Sequence, residues 1–237
     1  MADTQQHSGW KLQVRGLTKM FTLHHRGGAQ VCGFRGLDLD VAAGQLLALY
    51  GPSGAGKSSV LKSIFRTYRP QAGSVRFSRK DGSVVDLAGC PESMVLDLRR
   101  QEIAFVTQFL KTLPRIGALD VVAQPLVELG EPAESARQQA ADLLGRLGIR
   151  EELLNLSPLT FSGGEQQRVN IARAVIAPKE LILLDEPTAS LDQHSSEVVL
   201  AILADLKKRG IAMIAIFHDQ RKIEQVADAS CRIGRSN

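Results

Sequence analysis

The sequence predicts an α/β fold with a mainly parallel sheet, an N-terminal antiparallel β subdomain and an inserted α-helical subdomain. Three observations predict it. The runs at residues 45–50, 103–107, 181–184 and 212–217 are almost continuously apolar, the pattern of parallel strands covered on both faces. Residues 11–15 and 36–41 instead alternate apolar with polar, as half-buried strands do. Between Phe109 and Ser162 no strand pattern is visible, and helical stretches take its place.

In chain order, residues 74–77 and 83–87 flank Asp81-Gly82, a dipeptide suited to a tight turn, so they are expected to form a hairpin. Residues 57–68 place Val60, Leu61, Ile64 and Phe65 on one helical face. Helices over 118–129 and 134–147 are separated by the breakers Gly130 and Pro132. A further helix over 194–209 buries Val198, Val199, Ile202, Leu203 and Leu206 and stops at Gly210. The chain shows no internal repeat, and little sequence follows 212–217, so no separate C-terminal domain is expected.

Length and composition bound the possibilities. The 237 residues suffice for one large α/β domain, and 44% hydrophobic content excludes a disordered chain. A net charge of +4 without a dense basic run predicts a solvated surface and no nucleic-acid binding. Cys32, Cys90 and Cys231 form no metal-ligand spacing, and an odd number of cysteines opposes a closed disulfide framework, which fits the reducing cytoplasm. The adjacent His24 and His25 would point to opposite faces of a strand, so they read as loop surface. The polar N-terminus lacks an apolar signal core, and no stretch approaches the roughly 18 apolar residues of a spanning helix, so direct membrane insertion is not expected.

Two glycine-rich segments carry the chemistry. The first runs Gly51, Pro52, Ser53, Gly54, Ala55, Gly56, Lys57, Ser58 and fits G-x-x-x-x-G-K-[ST] between a strand and a helix. Its glycines let backbone N–H groups converge on phosphate oxygens, and the helix directs its positive end at the same anion. Lys57 reaches the outer phosphates, Ser58 is placed to ligate Mg2+, and Ser59 extends the cradle. The core is then that of a P-loop NTPase. Residues 181–186 run apolar and deliver Asp185 and Glu186 at a strand end, where open α/β sheets bind ligands. Asp185 is expected on Mg2+ and Glu186 on the attacking water. The Asn-Lys-x-Asp base-recognition motif of GTPases is missing.

The second segment, Ser162, Gly163, Gly164, Glu165, Gln166, Gln167, Arg168, resembles the signature of ATP-binding cassette (ABC) ATPases. The resemblance covers nearly the whole chain and keeps the family's order. Gln108 resembles the Q-loop glutamine, Ser190-Leu191-Asp192 the D-loop and His218 the switch histidine, while Phe21 falls where an aromatic stacks on adenine. Phe161 and Glu165 depart from the usual Leu and Gln. The resemblance implies a single cassette domain over 1–237: core plus antiparallel β subdomain at 10–108, helical subdomain at 109–162, core again at 163–237. It implies ATP and Mg2+, with Gln108 joining Ser58 and Asp185 at the metal. Glu186, His218 and Lys57 would be the catalytic set. Ser162, Gly163, Gly164, Glu165 and Asp192 would close over nucleotide held by a second ABC subunit, either a copy of this chain or a related cassette. Phe109, Leu110, Leu113 and Ile116, flanked by Lys111 and Arg115, fall where cassettes grip their partners.

Within the family, residues 106–110, 113–119, 121–126, 160–173 and 216–219, with Gly210, most resemble the ATP-binding subunit of the phosphonate carbon–phosphorus (C–P) lyase system. That resemblance implies organophosphonate catabolism in a cytoplasmic complex with C–P lyase core components. Two alternatives stand beside it: the ATPase of a lipoprotein-releasing or macrolide-type exporter, and an ATP-gated scaffold with slow hydrolysis. The long coiled-coil insertion of DNA-repair cassettes is missing.

Overall fold

The computed structural model describes residues 9–23 and 28–234. His24 and His25 lie outside the described residues, as does the polar stretch 1–8. Five strands form a parallel sheet: β3 (Leu46–Tyr50), β6 (Ile103–Val106), β7 (Leu181–Asp185), β8 (Ala212–Ile216) and β9 (Ala229–Arg232), in spatial order β6-β7-β8-β3-β9. The remaining strands form an antiparallel sheet ordered β2-β1-β4-β5, from β1 (Trp10–Leu23), β2 (Ala29–Ala42), β4 (Ala72–Ser78) and β5 (Val84–Asp86). The expected fold class is the observed one.

The continuous apolar runs follow from burial on both faces. On β7, Ile182 and Leu184 join a core beneath the helices, while Leu181 and Leu183 join a second core shared with the antiparallel sheet. The first core is covered by α3 (Ala118–Glu128), α5 (Gly163–Val175) and α6 (Gln193–Lys208), and α4 (Ala133–Arg146) packs on α3. The second holds Val60, Leu61 and Ile64 of α1 (Lys57–Ile64) against Leu12, Val75 and Phe77 of the antiparallel sheet. Short 3₁₀ turns at Glu151–Leu153 and Pro158–Thr160 lead from α4 into α5.

Three differences from the sequence expectation have physical causes. The β1–β2 hairpin is far longer than residues 11–15 and 36–41, because its register shifts between Val14 and Leu17 and again between Leu17 and Lys19. Gly16 and Gly36 take φ of 59° and 61° there, and such bulges erase the period of two that marks a strand. Helix α1 stops at Ile64 rather than Tyr68, where Arg66 turns left-handed (φ 63°) and its Nε donates to the Leu87 carbonyl. The elements α2 (Glu92–Gln101), α7 (Gln220–Val226) and β9 went unforeseen. Each buries at most two residues, so none carries an apolar stripe long enough to read.

The strand order positions the site. The carboxyl ends of β6, β7, β8 and β3 lie side by side, and Gln108, Asp185-Glu186, His218 and the segment from Gly51 follow directly from them.

Candidate functional site

The loop from Gly51 to Gly56 needs its glycines. Gly51 has φ 142°, and a Cβ there would lie 2.2 Å from the Ile233 carbonyl oxygen. Gly56 has φ 91°, and its Cβ would lie 2.1 Å from the Gly33 carbonyl oxygen. Gly56 also caps α1, with no side-chain acceptor on the first turn and no acid within it. The N–H groups of that turn are therefore free for an anion. Lys57 is buried, and its Nζ donates to the carbonyls of Gly51 (2.9 Å) and Pro52 (3.0 Å). Residues Ser53 through Ser59, with Glu186 and His218, line a cavity of about 250 Å3.

Asp185 ends β7 as a buried carboxylate, and Ser58 Oγ donates to its Oδ1 at 2.9 Å. Burial pushes its pKa above the usual carboxylate range, with the Ser58 hydrogen bond opposing the shift. Among the described residues no group of three or more His, Cys, Asp or Glu side chains could hold a metal alone. Ser58 and Asp185 together suit Mg2+, which keeps waters and shares ligands with substrate phosphates.

Glu186 has φ 56°, a left-handed backbone that costs a non-glycine residue about 1–2 kcal/mol. The turn presents its carboxylate to the phosphate loop. Its Oε1 lies 2.6 Å from His218 Nε2, and Gln108 Nε2 approaches Oε2 at 3.5 Å. The structure thus brings together Lys57, Ser58, Asp185, Glu186, His218 and Gln108 at the carboxyl ends of the parallel strands. Phe21 does not line that cavity. It sits on β1 opposite Val31, edge-on to Tyr68 at 5.2 Å, and packs against Gly33, whose carbonyl touches the loop at Gly56.

The second glycine segment lies apart from the cavity. Ser162 caps α5 in a capping box: its backbone N–H donates to Glu165 Oε2 (2.9 Å), and the Glu165 N–H returns to Ser162 Oγ (3.4 Å). Hydrogen bonds from Ser162 hold the Glu165 carboxyl below its usual range. A Cβ on Gly164 would lie 3.1 Å from the Ser190 carbonyl oxygen, so the D-loop packs directly on the signature. Asp192 caps α6 through Ser195 N (2.8 Å), and Phe161 anchors in the first core.

Sequence reasoning missed a second set on α5. Gln167 Nε2 donates to the Pro187 carbonyl (3.4 Å), Asn170 Nδ2 to the Thr107 carbonyl (2.6 Å) and Arg168 to Ser195 Oγ (2.5 Å). One helix thereby grips the loops bearing Glu186, Gln108 and Asp192. The available signal was weak: Asn170 alone stands between the apolar Val169 and Ile171, while Gln167 and Arg168 sit in a polar run. The expected four-residue docking patch is smaller in fact: Phe109 and Leu113 are 72% and 68% exposed, but Leu110 is buried and Ile116 packs on the core. Leu113 and Ile116 border a cavity of about 380 Å3 beside α3.

Residues 34–189 match the family model described as ABC transporter. The lipoprotein-releasing system ATP-binding protein LolD of Legionella pneumophila is 34% identical over 88% of this chain and 89% of its own length. The macrolide export ATP-binding/permease protein MacB of Rhodopseudomonas palustris is 36% identical over 90% of this chain, and the pyoverdine export protein PvdT of Pseudomonas putida 40% over 78%. The chain spans only 31% and 28% of those two longer proteins. Among solved structures, the ATP-binding cassette MJ0796, a dimer in a post-hydrolysis state bound to ADP and Pi, superposes with a TM-score of 0.85 at 26% identity over 94% of both chains.

These findings overturn the expected phosphonate C–P lyase role and, with it, C–P lyase core components as partners. The similar proteins are lipoprotein-releasing and export ATPases. Of the stretches that carried that expectation, Thr107 accepts from Asn170 of α5 and residues 162–173 form the cap and body of that helix, so they belong to the cassette's own frame. What remains is the shared machinery: the chain belongs to the ABC transporter family and is an ATP hydrolase of the cassette type.

Proposed function

We propose that this chain powers an exporter-type assembly, hydrolysing Mg-ATP between two cassette copies at the cytoplasmic face of a membrane permease that selects the cargo. The observation that carries the reading is the convergence of Lys57, Ser58, Asp185, Glu186 and His218 at the carboxyl ends of the parallel strands. Support for the exporter context comes from LolD, MacB and PvdT. Among the described residues no helix is long and apolar enough to cross a membrane, so the spanning part is supplied outside them.

Each residue has a task in this reading. Ser53 through Ser59 wrap the phosphates, and Lys57 exchanges its two loop carbonyls for phosphate oxygens. Ser58, Asp185 and Gln108 would hold Mg2+, which would offset the charge of the outer phosphates. Glu186 accepts a proton from the attacking water, and His218, hydrogen-bonded to it, steadies the terminal phosphate. Phe21 stacks on adenine. A second copy contributes Ser162, Gly163, Gly164 and Asp192, with Glu165 holding Ser162, which explains why these lie apart from the cavity in one chain. Phe109 and Leu113 meet the permease. Affinity purification of the tagged chain from detergent-solubilised membranes tests the proposal. Recovery of an integral membrane protein together with ATP-dependent turnover is expected; recovery with soluble proteins alone would overturn it.

A further inference from the structure

The hydroxyl of Ser162 carries a single hydrogen. In the structure it is donated to Glu165 Oε2 at 2.7 Å, and the same oxygen accepts the Ser162 backbone N–H. The donors with which a signature serine would meet a phosphate are therefore already engaged, and a carboxylate stands within the first turn of α5. Helix α1, at the phosphate loop, has neither feature. Glu165, ionised at neutral pH like any ordinary glutamate, is held further below its usual range by the Ser162 hydrogen bonds.

We propose that Glu165 is a positioning residue that competes with the terminal phosphate of the nucleotide for Ser162, so that closure of two copies must first displace a hydrogen bond built into each. The inference rests on the two-copy site described above. A phosphate arriving at α5 finds the serine donor occupied and a negative charge partly cancelling the helix's positive end. Exchange of Glu165 for its neutral amide keeps the size and leaves an oxygen to accept from the Ser162 N–H, but weakens the hold on the hydroxyl and removes the charge. Closure then becomes easier while the helix cap becomes weaker. These effects have opposite signs, which separates competition from plain capping.

The test is sedimentation velocity across a Mg-ATP titration in a Glu186→Gln chain, with and without Glu165→Gln, alongside thermal melts. The expected result is that Glu165→Gln lowers the ATP midpoint for dimer formation about fivefold, the size of exchanging one charge-assisted hydrogen bond for a neutral one. The melting midpoint falls in the same variant. In a Ser162→Ala background Glu165→Gln lowers the midpoint by less, since only the charge effect is left and there is no hydroxyl to release. An unchanged or raised ATP midpoint with a lowered melt would overturn the inference and leave Glu165 a cap alone. A Glu186→Gln chain that binds ATP yet stays monomeric would remove the two-copy reading itself and the inference with it.

Discussion

The first turns of α1 and α5 both follow glycine-bearing segments, yet they are closed in opposite ways. Helix α1 begins at a left-handed Gly56 with no side-chain cap and no acid in its first turn. Helix α5 begins at Ser162 with a reciprocal box and Glu165 in its first turn. An uncapped helix end inside a packed loop would be unfavourable unless an anion completes it. The open end belongs to the cavity shared with Glu186 and His218, and the closed end lies elsewhere on the molecule. One helix end leaves its first N–H groups open to an anion, and the other is satisfied by its own carboxylate.

The largest expected effect falls on the residue facing the open end. Glu186→Gln is expected to cut turnover about a thousandfold while leaving ATP binding intact, read by single-turnover hydrolysis beside a nucleotide-binding assay. Retained turnover would remove Glu186 as the base. Next comes the closed end. Gly163 sits where a Cβ meets nothing within 4 Å, so Gly163→Asp is tolerated in the fold and favoured by the helix's positive end. Its steady-state turnover is expected to fall about a hundredfold with no loss in melting temperature, because a second carboxylate then repels phosphate there. At the open end, Gly56→Ala forces a Cβ against the Gly33 carbonyl, and a stability loss of about 2–3 kcal/mol is expected in urea titration.

The smallest effect concerns Asp185. Its folded pKa is raised by burial, so between about pH 4 and that raised value the folded chain binds more protons than the unfolded one. Stability of the nucleotide-free chain therefore falls as pH rises through that window. Asp185→Asn should melt above the parent at pH 7, with the difference shrinking toward pH 4, while losing Mg-dependent hydrolysis. A variant that melts below the parent at pH 7 would mean that the Ser58 hydrogen bond outweighs burial.

Much of this was legible in the sequence, unevenly. The parallel strands read clearly because burial on both faces leaves long apolar runs. The bulged hairpin did not, because Gly16 and Gly36 break the alternation where the strands continue. Lys57, Ser58, Asp185 and Glu186 were legible by type and spacing, but the left-handed backbone that aims Glu186 leaves no mark on composition. The Ser162-x-x-Glu165 box was present in the residues and went unread beneath the stronger glycine pattern. Gln167 and Asn170 look like surface residues and are only 3% and 6% exposed, since their partners are loop carbonyls far along the chain. The load was not legible: most of the resembling stretches are the cassette's own frame, and Phe109 and Leu113 carry no chemistry that names a partner.

Mixing two defective chains tests the composite site most directly. Lys57→Ala disables the open end of its own chain, and Gly163→Asp disables the closed end. In a mixed dimer one site pairs both defects and the other is wholly intact. If the site is shared, ATPase activity in a one-to-one mixture rises to roughly a quarter of the parent level, although each variant alone is inactive. Activity no higher than that of either variant alone would contradict a shared site.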